Sequence, residues 1–227
     1  MITDYERMKF MAVTKKQIDN IAIDVLKRYI EHNHCEWRVF SVDPFELAKM
    51  LGINIEFSSL GADNAIAYTY AADTLTSIEY FYDQYDDELS LKLDGNTIVV
   101  NTDIPDERTG LLNMAVMYCV AIQIIHRLYK LVDYGACLSF SDEDDLTETD
   151  LWEISTLTKE LLMPTSILQK LFHSAYGKDH LDTLNAVLHK ENYLKFCAIS
   201  TLFKVTPDVL AIRCQQLRLL DNYIKVA

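Results

Sequence analysis

A metal-dependent hydrolase built on helices needs two histidines at i and i+4. That spacing sets both imidazoles on one helical face around a tetrahedral ion. A glutamate between them would polarise the metal-bound water and take its proton. A third ligand must come from elsewhere. Residues Glu153-Ile154-Ser155-Thr156-Leu157-Thr158-Lys159-Glu160-Leu161-Leu162-Met163-Pro164 form a helical stretch ended by its proline. No H-E-x-x-H occurs in the 227 residues. Of the six histidines, only His126 lies in a long apolar helical segment. His32 and His34 read as a polar loop after a helix, and His173, His180 and His189 as surface or satisfied polar positions without partner cysteines. The five cysteines are scattered, with no C-x-x-C, which predicts reduced thiols and a cytoplasmic setting.

The elements that would position these groups follow from periodicity and breakers. Apolar residues spaced three and four apart from Ile18 to Tyr29 predict an amphipathic helix over 14–31, capped by Thr14. Asp43 and Pro44 open a second, shorter helix that stops at Gly52, followed by the alternating strand Ile53–Phe57. Residues 62–100 carry strands at 65–70, 77–82 and 97–101, with Asp94-Gly95-Asn96 as a hairpin-type turn. From Pro105 to Leu131 the chain predicts one long helix, N-capped by Asp103 and apolar around nearly its whole circumference, hence central in the fold. Two helices are expected within 165–190, then Tyr193–Phe203 and Thr206–Leu220. Scarce glycine (6) and proline (4) also favour a helix-rich α+β chain over an all-β one.

The net charge of −13 opposes nucleic-acid phosphates and anionic membranes. Ser141 to Glu153 holds seven carboxylates and no base, which reads as a solvated loop lacking calcium-loop spacing. Residues 165–227 hold eight Lys/Arg against five Asp/Glu. There Thr206, Pro207 and the polar set Arg213, Gln215, Gln216 and Arg218 allow a helix-turn-helix reader, though its turn lacks the usual glycine. No signal peptide or membrane span is expected.

The Glu153–Pro164 stretch resembles the E-x-x-x-x-x-x-E-L-L-M-P segment of the ImmA/IrrE-like metallopeptidases. Val42–Ile55, Thr97–Asn101 with Ile104–Arg108, and Leu194–Leu217 resemble other parts of that family in the same order, but only the E-L-L-M-P segment is specific. The resemblance implies a zincin-like α+β fold, with a small mostly antiparallel sheet packed on a long buried helix. It divides the chain into a peptidase-like part over 1–164 and a helical C-terminal part over 165–227. It makes Glu153 the third zinc ligand. By the family's spacing from Asn101, H-E-x-x-H would fall at Val116-Met117-Tyr118-Cys119-Val120, replacing both ligands and the base by Val116, Val120 and Met117. A register six residues on, Ile122-Gln123-Ile124-Ile125-His126, keeps one histidine and puts Gln123 at the base position.

The resemblance thus implies a peptidase scaffold without catalytic residues or cofactor, acting on a protein partner of the helix-turn-helix repressor type that active relatives cleave. Tyr80, Phe81 and Tyr82 are the candidate partner-binding residues. The runner-up is an active metallopeptidase with non-standard ligands, holding zinc through His126 and Glu153. A DNA-binding regulator comes third.

Overall fold

The computed structural model describes residues 14–34, 41–71, 77–84, 87–129, 134–137 and 148–225, and within these it is an α+β fold. Helix α1 (Lys15–Asn33) starts with a capping box: the Gln17 N–H donates to the Thr14 hydroxyl oxygen, and the Thr14 N–H donates to Gln17 Oε1. Its last turn takes in His32 and Asn33, which the sequence had suggested as loop, and His34 closes it in the left-handed region. In α2 (Pro44–Met50), Asp43 Oδ1 accepts from the Phe45 and Glu46 N–H groups, as the Asp-Pro pair predicts.

The main sheet has the order β1 (Asn54–Ser58), β5 (Thr97–Asn101), β2 (Ala67–Ala71), β6 (Tyr134–Cys137). The β2 pairings with β5 and β6 are antiparallel, whereas β1 runs parallel to β5. Strands β3 (Ser77–Gln84) and β4 (Asp87–Asp94) form a two-stranded sheet of their own. The Asp94–Asn96 turn therefore links two sheets instead of making a hairpin. Asn96 adopts a positive φ, its N–H donates to the Tyr70 carbonyl, and β5 is delivered between β1 and β2.

The long helix expected from Pro105 is divided. A single turn, α3 (Asp106–Thr109), precedes α4 (Leu112–Tyr129). Asp103 does not cap it, because Asp103 Oδ2 accepts from the Ser59 hydroxyl at 2.5 Å and the Gly61 N–H at 2.9 Å. The break falls at Gly110, where an added Cβ would lie 2.7 Å from Thr206 Cγ2. Gly110→Ala is expected to cost about 1–3 kcal/mol through this overlap. Thr206→Ser removes the offending methyl and keeps the hydroxyl that caps the following helix, so it should restore most of the loss. Chemical denaturation of the single and double variants tests this, and additive costs would refute it.

Helix α4 packs on the sheet through β2 and β5 and against α5 (Glu148–Leu162), which also meets α1. Beyond Pro164 comes α6 (Thr165–Tyr176), and then, where a second helix was expected, strand β7 (Leu181–Asn185). Helices α7 (Lys190–Leu202) and α8 (Pro207–Gln216) lead to a last strand, β8 (Leu220–Ile224), which pairs in parallel with β7. One buried apolar cluster includes Ile18, Ile98 and Val116 together with Phe172, Phe196 and Leu210. Among the described residues no helix is long and apolar enough to cross a membrane.

Candidate functional site

Helix α4 carries both registers at which the resemblance would place H-E-x-x-H, and they differ in structure. Val116, Met117 and Val120 are fully buried and belong to the core cluster, in company with Ile154 and Leu157 of α5. Their side chains fill space between the helices and the sheet, and none has a lone pair suited to holding zinc.

The second register is polar and equally enclosed. Gln123 is 1% exposed, His126 3% and Glu153 1%. The Gln123 amide nitrogen donates to Thr69 Oγ1 and to the Tyr70 carbonyl of β2, both at 2.8 Å. Thr69 in turn donates its hydroxyl proton to the Thr97 carbonyl of β5 at 2.7 Å. A buried chain of hydrogen bonds therefore runs from α4 through β2 to β5 and satisfies groups that would otherwise be costly to bury. A glutamate at 123 would set a carboxylate against the Tyr70 carbonyl, so this position is built for a donor. Ile122, at the first ligand position of this register, offers no lone pair. His126 and Glu153 sit on the two helices that pack together, each engaged by a neighbour. Two side chains able to ligate, without a base, do not match a catalytic zinc centre, so the residues present do not fit the zinc of the runner-up reading.

The specific part of the sequence signature has a structural role that spacing did not reveal. Glu160 and Arg213 are buried together, with Arg213 Nη2 donating to Glu160 Oε1 at 2.5 Å and to Thr165 Oγ1 at 2.9 Å. Thr165 returns its hydroxyl proton to Glu160 Oε1 at 2.6 Å and its N–H to Glu160 Oε2 at 3.1 Å. Glu160 thus reaches across Pro164 to the first residue of α6, where the positive end of the helix dipole favours an anion. Burial pushes its pKa up, but the Arg213 charge and the Thr165 and Arg213 hydrogen bonds outweigh this and hold it below the ordinary carboxylate value. The E-L-L-M-P signature is a junction of α5, α6 and α8. Arg213, expected on an exposed reading face, is 5% exposed and committed to that junction, while Gln215, Gln216 and Arg218 do face solvent.

Asn101, at the end of β5, is a second buried anchor. Its Oδ1 accepts from the Leu60 and Asp103 N–H groups, and its Nδ2 donates to the Gly61 and Ala65 carbonyls. Like Gln123, it secures backbone and leaves no group free for chemistry. Tyr80, Phe81 and Tyr82 pair in register with Leu91, Ser90 and Leu89. Their side chains, and the acidic run over 141–147, lie outside the described residues.

Among the described residues one His/Asp/Asp set converges, His180, Asp182 and Asp221, and it is solvent-accessible and far along the chain from α4 and α5. His173 pairs with Asp179, and His189 Nδ1 accepts the Asn185 N–H, as expected for satisfied surface histidines. No protein-family model matches this chain, and no curated protein or solved structure matches it either.

Proposed function

We propose that this chain is a catalytically inactive relative of the ImmA/IrrE-like metallopeptidases that works in the cytoplasm by binding a protein. Its partner is taken to be a helix-turn-helix repressor of the kind active relatives cleave, in a mobile-element or phage setting. The observation that carries the reading is the use made of the catalytic positions. Val116, Met117 and Val120 are core, and Gln123 is spent on strand β2. The ordered resemblance from Val42 to Leu217 supports a zincin-like ancestry, and a small sheet on a buried helix is compatible with it. Fold alone would not assign the function.

Binding without cleavage needs no metal. Proteases of this type hold substrate as an added strand, where main-chain hydrogen bonds supply affinity. The β3–β4 sheet and its residues Tyr80, Phe81 and Tyr82 are the proposed contact, since tyrosines give large contact area at low entropic cost.

Protein purified without chelator is expected to contain far less than one zinc per chain by elemental analysis. Incubated with a helix-turn-helix repressor, it should retain the repressor intact, with Tyr80→Ala or Tyr82→Ala weakening retention. Stoichiometric zinc that disappears with Glu153→Ala or His126→Ala, or cleavage of the repressor, would establish the active-peptidase reading instead. The DNA-reader alternative loses ground with Arg213 buried. Salt-sensitive duplex binding that depends on Arg218 would restore it.

A further inference from the structure

We propose that His180 is a proton-operated latch that holds the C-terminal strand β8 beside β7. His180 immediately precedes β7, and its Nδ1 lies 3.0 Å from the Arg218 carbonyl, to which it must donate a hydrogen. Arg218 sits in the left-handed region (φ 57°) in the turn that launches β8. With the hydrogen on Nδ1, the other ring nitrogen of a neutral imidazole is a bare lone pair. That Nε2 lies 3.2 Å from Asp182 Oδ1 on β7 and 3.2 Å from Asp221 Oδ2 on β8. Three electron-rich atoms facing one another repel. A proton on Nε2 turns the same geometry into a cation bridging two carboxylates on adjacent strands.

Asp182 and Asp221 are the charged groups that face the ring, and the α8–β8 turn contributes only its carbonyl. Neighbouring Asp179 is already paired with His173. The Arg218 carbonyl, opposed by desolvation and then aided by Asp221 and Asp182, raises the His180 pKa above its ordinary value. A raised folded-state pKa contributes stability that is complete below the unfolded value and lost as pH rises through the folded one. The latch is therefore closed in mild acid and open in mild base. Opening does not release the strand outright, because the ladder, the Asn222 bond to the Asp182 carbonyl and the Lys225–Asp208 pair remain. It loosens a strand whose first residue, Leu220, belongs to the core.

The test is amide hydrogen exchange of residues 220–224 in the full chain at about pH 5.5 and about pH 8.5. Chelator in both buffers leaves the proton as the only cation that varies, and rates are corrected for intrinsic chemistry. Protection of these amides should fall at the higher pH, and His180→Gln should abolish the difference. Asp221→Asn should lower the His180 pKa followed by NMR. Equal protection at both pH values, a pH effect that survives in His180→Gln, or an unmoved pKa in Asp221→Asn would each overturn the latch.

Discussion

Arg213→Met should destabilise the protein by about 3–5 kcal/mol, because it strands the Glu160 carboxylate in the core without its cation. Glu160 is also the anion at the start of α6, bonded to both the N–H and the hydroxyl of Thr165. Those two bonds are too few to carry a buried charge alone. Neutralising both members, as Arg213→Met with Glu160→Gln, should recover most of the loss, since an amide can still accept from Thr165 and no charge remains uncompensated. Urea denaturation of the two single variants and the double variant gives the coupling directly.

The pH dependence follows from the lowered Glu160 pKa. A depressed carboxylate contributes stability that is present above its unfolded value and lost as pH falls through the folded one. The parent should therefore lose part of its stability in acid, below the usual glutamate range, and Glu160→Gln should lack that part. A cost below about 1 kcal/mol for Arg213→Met, of the size expected from a solvated surface pair, would contradict the junction's role. Strictly additive single costs would do the same.

The same junction shows what could and could not be read in the sequence. Helix starts announced themselves where one side chain closes a local ring. Thr14, Asp43 and Thr206 each cap the helix assigned to them, because capping depends on residues two or three positions away. Strand positions 97–101 and the burial of α4 were equally legible from apolar patterning. Pairing was not. The parallel β1–β5 contact and the β7–β8 pair depend on partners more than 30 residues apart, about which local periodicity is silent. Short β8 also follows α8 after a turn with Arg218 at positive φ, a backbone choice that a non-glycine residue does not advertise. The site was half legible. Apolar residues at 116, 117 and 120 already predicted that this face of α4 is buried, and it is. That Gln123 would serve β2, and that Arg213 would turn inward to Glu160, required the tertiary structure. A hint of the second did exist, in a glutamate five residues before the first residue of a helix, across a proline.

Building H-E-x-x-H into α4 should be costly for the same reason. The combination Val116→His, Met117→Glu and Val120→His places three polar groups where the chain now has fully buried apolar side chains packed against α5 and the sheet. Each group buried without a partner costs about 1–3 kcal/mol. The metal-free variant should therefore lose several kcal/mol, enough to threaten a domain of ordinary stability. Zinc changes the comparison if Glu153 stands within reach of the new histidines, because an ion that binds only the folded state stabilises by mass action. Zinc-dependent recovery that disappears with Glu153→Ala would fix this register as the ancestral one. The alternative combination, Ile122→His with Gln123→Glu, removes the amide that bridges to Thr69 and Tyr70. It should lose stability whether or not zinc is present, since no metal replaces the lost amide donor and the new carboxylate faces the Tyr70 carbonyl. If the first variant were as stable as the parent without metal, Val116 and Val120 would line open space. The proposed conversion of a catalytic centre into core would then be wrong.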